Sequence, residues 1–173
     1  EDMKGLFYAT DRVLRDATFL EALTNRAFSS EFAFKMDDEI LRGTGTGQCL
    51  GILNADCTVS QAKETAQTAD TVKAENVIKM HSRLLAKNMV RAEWFINQEV
   101  LPQLQTMAVA VGTAGGQLVY MPPGGLTSAP YGTLLGRPVN VIEVASGLGD
   151  VGDTFIADLS EHPVIIKPMG SAQ

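Results

Sequence analysis

The chain has 173 residues, of which 45% are hydrophobic and 20% charged; this fits one folded domain, or one domain with part of another, and excludes a disordered composition. Asp plus Glu number 20 against 14 Lys plus Arg, a formal charge of −6, which argues against a protein that coats nucleic acid through a basic surface. No apolar run approaches the roughly 18 residues of a membrane helix, and Cys49 and Cys57 are too few for a disulfide framework or a zinc site, so a reducing, cytosolic origin is expected.

Residues 11–41 predict one long helix. Val13, Ala17, Leu20, Leu23, Ala27 and Phe28 recur at steps of three and four, as a buried helix face requires. Thr10 or Asp11 is the expected N-cap, Glu31 and Lys35 an i,i+4 ion pair, and Gly43 the left-handed cap residue. At 1.5 Å per residue the rod is about 45 Å long. That is too long for a small core, so part of it is expected to stand apart, on a sheet or on another subunit. Four glycines lie between Gly43 and Gly51 and predict a loop. Residues 55–70 are polar and read as an exposed connection.

A second helix is expected over 71–88, capped by Asp70 or Thr71. Val77, Ile78, His81, Leu84 and Leu85 form its apolar stripe, and Lys79, Arg83, Lys87 and Arg91 a basic strip opposite. Residues 92–97 predict a short buried strand containing Trp94. Asn97 then caps a third helix from Gln98 to Ala108, with Pro102 near its first turn and Val100, Leu101, Leu104 and Met107 on its apolar side. Short strands are expected at Leu118–Tyr120, Val139–Val144, Thr154–Leu159 and Val164–Lys167, with a loop over Met121–Gly132. The order implies an α+β fold: a long helix, then helices on a small mixed sheet. Charge is uneven along it. Residues 92–173 hold only Arg137 and Lys167 against seven acids, four of them at Asp150, Asp153, Asp158 and Glu161.

The chemistry these residues offer is sparse. A phosphate cradle at Gly43–Gly51, which would suit a small nucleotide-binding enzyme, lacks the Lys of a P-loop, and its glycines close a helix instead of opening one. His81 reads as a packed residue and His162 as an exposed one. Cys49 and Cys57 read as buried, inert thiols, and Met80, Met89 and Met107 as gap-fillers in cores or contacts. The four late acids lack the spacing of a calcium loop and read as solvated. No catalytic, cofactor-binding or metal-ligating residue is therefore named, and no cofactor is expected.

Four segments carry a resemblance. The long helix ends in Asp37-Asp38-Glu39-Ile40-Leu41-Arg42 and runs into Gly43-Thr44-Gly45-Thr46-Gly47-Gln48-Cys49-Leu50-Gly51-Ile52-Leu53. Trp94-Phe95-Ile96-Asn97 then precedes a helix, Leu134-Leu135-Gly136-Arg137-Pro138-Val139 leads into a strand, and Gly152-Asp153 precedes Thr154-Phe155-Ile156. In this order they resemble the major capsid proteins of tailed bacteriophages, the fold type named after phage Hong Kong 97. The resemblance covers about residues 10–167.

It implies a structural, non-enzymatic subunit of a phage or prophage shell that self-associates to enclose DNA. Encapsulin shells, which share the fold, are an alternative. Residues 1–69 would hold the spine helix, glycine loop and connection of a peripheral domain. Residues 70–160 would form the axial domain, and 161–173 a return toward the peripheral domain. The partners implied are other copies of the chain, with no sequence-specific nucleic acid, membrane or small-molecule substrate. The location implied is the virion, or the host cytoplasm before assembly. The family's N-terminal arm and hairpin do not fit into residues 1–10, nor its last strand and helix after 167, so truncation at both ends is expected. A two-fold helix-to-helix dimer in place of a closed shell is expected from that truncation.

Overall fold

The computed structural model describes residues 4–11, 17–110, 116–122 and 132–161. The chain divides into two units, Glu1–Thr58 and Val59–Gln173.

In the first unit, helix α1 spans Ala17–Arg42. No Gly or Pro interrupts these 26 residues, which is why the run holds. Asp11, the expected start, is itself helical, and the Val13 position falls among residues 12–16, outside the described residues. The half-buried stripe differs from the expected one. It steps by four through Leu20, Thr24, Phe28, Phe32, Met36 and Ile40 to buried Leu41, while Leu23 is 48% exposed and Ala27 faces out. Two aromatics decide the rotation. Phe28 and Phe32 stack with centroids 5.8 Å apart, and the chain before the helix lies on them, since a Cβ at Gly5 would overlap the Phe28 ring. Lys35 pairs with Asp38 at 3.6 Å in place of Glu31, and Asp38 also receives Arg42 at 2.7 Å.

In the second unit, Lys73 is the N-cap of helix α2, Ala74–Ser82, and its amide donates to Asn76 Oδ1 at 3.0 Å. This corrects both the expected cap and the expected end at 88. After Ser82 the chain turns repeatedly to Arg91. The helix has little to bury beyond that point, with Val77 fully buried but Ile78 44% and Leu85 63% exposed. Strand β1 is Glu93–Ile96. Asn97 is a helix cap as expected, its side chain accepting from the Glu99 amide. A 3-10 turn at Gln98–Val100 continues into α3, Leu101–Thr106. The helix stops two residues before the expected Ala108, because Ala108–Ala110 forms strand β2, antiparallel to β3, Gly116–Leu118.

Strands β4 (Tyr120–Met121), β5 (Thr133–Leu134), β6 (Arg137–Val141) and β7 (Thr154–Ala157) join β1 in a mixed sheet of order β4-β5-β6-β1-β7. Strand β1 runs parallel to β6, with Trp94 opposite Val139, and antiparallel to β7, with Phe95 opposite Phe155. The strands expected over 139–144 and 154–159 therefore exist, shifted or shortened. The Val164–Lys167 strand, the 161–173 return and most of the 121–132 loop lie outside the described residues.

One sheet face makes the core: Trp94, Ile96, Leu134 and Val139 pack with Val77, Val100, Leu104, Met107 and Tyr120. Trp94 is fully buried, and its indole N–H donates to the Leu134 carbonyl at 3.0 Å, so its one polar atom is satisfied. The architecture is α+β, as the sequence implies.

Candidate functional site

The glycine loop is a tight hairpin that finishes the helix. Thr44 and Leu50 form an antiparallel bridge, the Gly45 amide donates to Cys49 O at 3.2 Å, and the Gly51 amide donates to Gly43 O at 2.8 Å. A helix C-terminus leaves carbonyls without partners, and here side chains supply them. The Cys49 thiol donates to Glu39 O at 3.0 Å, and Asn54 Nδ2 donates to the carbonyls of Arg42 and Gly43 at 2.8 and 3.1 Å.

Gly43 is not left-handed, which corrects the expected cap. Its amide donates to Glu39 O at 2.8 Å, and a Cβ would overlap the Cys49 carbonyl. The left-handed positions are Gly45 (φ 79°) and Gly47 (φ 75°). Amides of Gly43, Gly45 and Gly51 are thus spent on carbonyls of the helix end and of the loop itself, the opposite of a cradle that presents N–H groups to a phosphate.

Cys49 and Cys57 are both exposed, not buried as expected. His81 is half-buried on α2; His162 lies outside the described residues. Met107 is in the core, Met80 packs against it, and Met89 is half-buried. Among the described residues no three His, Cys, Asp or Glu side chains converge on one point, and no helix is long and apolar enough to cross a membrane.

The basic strip does not exist as one helix face, because α2 ends before Arg83. Lys79 instead pairs with Glu64 at 2.5 Å, while Lys87 and Arg91 come round to β7. Their charges help hold the Asp158 carboxyl below the ordinary Asp range, the largest cause being the hydrogen bond from the Ser160 hydroxyl. Arg91 and Asp158 line a groove of about 450 Å3 together with residues including Glu93, Phe95, Arg137 and Pro138. The groove opens on the sheet face opposite the core, where Phe95 and Phe155 stack at 5.1 Å. Sequence reasoning missed it. The available signal was the period of two in β1, which sends Phe95 away from Trp94 and Ile96.

The late acids separate. Asp158 belongs to the groove, whereas Asp150 and Asp153 lie in the loop between β6 and β7. Asp153 Oδ2 accepts from the Gly149 amide at 3.0 Å, and its backbone carbonyl accepts from the Asn97 amide at 3.0 Å. Burial pushes the Asp153 carboxyl above the ordinary range, aided by Asp150 and opposed by amides of Gly149 and Thr154.

A family model described as the phage capsid family matches residues 2–170. Two solved structures are similar in fold. The capsid of a native GTA particle computed with C5 symmetry superposes with a TM-score of 0.60 at 16% identity, over 87% of this chain and 53% of that one. The capsid of an empty GTA particle, also computed with C5 symmetry, gives 0.58 at 17% identity, over 87% and 52%. The chain thus spans about half the length of each of these capsid chains. No curated protein matches it.

Proposed function

The chain belongs to the phage capsid family, and from that premise we propose that it is a structural subunit of a phage or prophage capsid shell, many copies of which surround DNA. The observation that carries this reading is the family match over residues 2–170, nearly the whole chain. The α+β fold shared with two GTA-particle capsids supports it. The role is structural and not catalytic, the partners are other copies of the chain, and the location is the virion, with the host cytoplasm before assembly.

Within the shell, residues 1–69 supply the spine helix and glycine hairpin of a peripheral domain. Residues 70–160, built around the five-stranded sheet, supply the axial domain. The hairpin serves this division physically. By satisfying the carbonyls at the end of α1, it turns the chain off a 26-residue rod without leaving buried acceptors unpaired.

The test is mass spectrometry of DNA-containing particles purified from cultures that make the protein. Peptides from this chain should rank among the most abundant in the particles, as expected of a component present in hundreds of copies. Their absence from such particles, with the protein recovered only from the soluble fraction, would overturn the reading.

A further inference from the structure

The division of the chain between Thr58 and Val59 falls inside the polar connection that follows the glycine hairpin. Hydrogen bonds split that connection into three parts. Up to Thr58 it belongs to the hairpin's unit: the Thr58 amide donates to Ala55 O at 2.9 Å, and its hydroxyl donates to Ile52 O. The next five residues are Val59–Lys63. Among the described residues their hydrogen bonding is local, from Gln61 Nε2 to the adjacent Ala62 carbonyl at 3.0 Å, and Val59 is 57% exposed.

From Glu64 onward the chain is fastened to the second unit. Glu64 pairs with Lys79 on α2 at 2.5 Å. Gln67 is buried and draws the segment together: its Oε1 accepts from the Glu64 amide at 2.9 Å, and its Nε2 donates to Thr71 O at 2.6 Å. Gln103 on α3 clamps the far end, donating to Asp70 O at 3.0 Å and accepting from the Val72 amide at 2.7 Å. The Asp70 side chain lies so close to Gly149 that a Cβ there would overlap its Oδ1. Val72 then packs against the core.

Two non-glycine residues of this segment are left-handed, Ala66 at φ 62° and Asp70 at φ 55°. Asp visits that region readily, whereas Ala does so at a cost. Such strain persists only where the surroundings over-determine the backbone. Here the surroundings are polar clamps, since Gln67 is the one buried residue of 64–71. A strained segment with few buried apolar contacts opens more readily than the core beneath it. We propose that residues 64–71 are a releasable strap that sets the length of tether between the two units. Fastened, the strap leaves a tether of five residues, Val59–Lys63, with a reach of at most about 17 Å. Released, it adds its own length, so that Val59–Thr71 reaches at most about 45 Å. Gln103 is the principal clamp, because it bonds two backbone groups at the strap's end from a separate helix. The device belongs to the chain itself and operates with or without a shell.

Hydrogen exchange with mass spectrometry on the full chain tests it. In wild type, residues 64–72 should exchange more slowly than 59–63 and faster than β1. Gln103→Ala should raise exchange in 64–72 about tenfold and leave β1 unchanged. Spin labels on Cys49 and on Gln105→Cys, with Cys57→Ser, report the tether by their distance distribution, which should broaden in Gln103→Ala. A purely local loss at Gln103 would leave that distribution alone. Should Gln103→Ala also speed exchange in β1, Gln67→Ala replaces it, because Gln67 bonds only within the strap; the same release and broadening are expected. Wild-type exchange in 64–72 as fast as in 59–63 overturns the strap. So does exchange there as slow as in β1, or a clamp variant that changes neither exchange nor distance.

Discussion

Single residues show the chain's economy most clearly at Trp94. It fills the centre of the second unit with no exposed surface and ties β1 to the end of β5 through its indole N–H. Trp94→Ala should cost about 3–5 kcal/mol, read by denaturant unfolding with far-ultraviolet circular dichroism; a variant as stable as wild type would contradict this packing. Glycines in the hairpin divide by mechanism. Gly43→Asn forces a side chain into the Cys49 and Glu39 carbonyls and should cost about 1–3 kcal/mol. Gly47 has open space and only a positive φ to satisfy, which Asn tolerates, so Gly47→Asn should be nearly neutral and Gly47→Ala should cost about 1–2 kcal/mol. Equal losses for the two Asn variants, measured by hydrogen exchange in 39–54, would refute the distinction.

Titration adds a signed prediction at Asp153. Its folded carboxyl is raised above 3.8, so the folded state binds the proton more tightly than the unfolded chain. That contribution to stability is present below the unfolded value and is lost as pH rises through the folded one. Wild type should therefore gain on Asp153→Asn as the solution is acidified from neutrality toward 3.8. Asp158 is lowered by Ser160, Arg91 and Lys87, so its contribution has the opposite sign and is lost on acidification. Carbon-detected NMR titration should place Asp153 above 3.8 and Asp158 below it. The reverse order would contradict the two environments.

Elements were legible in the sequence where local chemistry and burial agreed. Trp94-Phe95-Ile96-Asn97 is a strand and a cap because both faces of the strand are apolar and the Asn97 side chain accepts from the Glu99 amide two residues on. The end of α2 was not legible. The period of four in Lys79, Arg83, Lys87 and Arg91 continues past Ser82, but the chain there has no core to lie on, and packing decides helix length more than period does. Strand β5 was hidden by its turn. Leu135 (φ 50°) and Gly136 (φ 75°) occupy the two positions between paired Leu134 and Arg137, where Asn-Gly would have announced a hairpin. Leu135 stays there because it packs against the core. A Cβ at Gly136 meets nothing within 4 Å, so Gly136→Ala should cost only the backbone strain, about 1–2 kcal/mol. A loss well beyond that in thermal unfolding would show contacts the hairpin does not have. The buried stripe of α1 was misplaced for a related reason: Phe28 and Phe32 outweigh Leu23 once their rings stack, and spacing alone does not rank apolar side chains by size.

At the scale of the whole molecule, the fold class and the shell resemblance were legible from ordered motifs, although each motif is ordinary alone. The groove was not. It is assembled from residues as distant in sequence as Arg91, Arg137 and Asp158, and only the register of three strands brings them to one end of the sheet. The most direct measurement is electron cryomicroscopy of DNA-containing particles from cultures making the protein. The account predicts a shell in which symmetry-related copies each show the β4-β5-β6-β1-β7 sheet with the Trp94 side chain at its core; a shell whose density fits another chain, with this one absent, would contradict it.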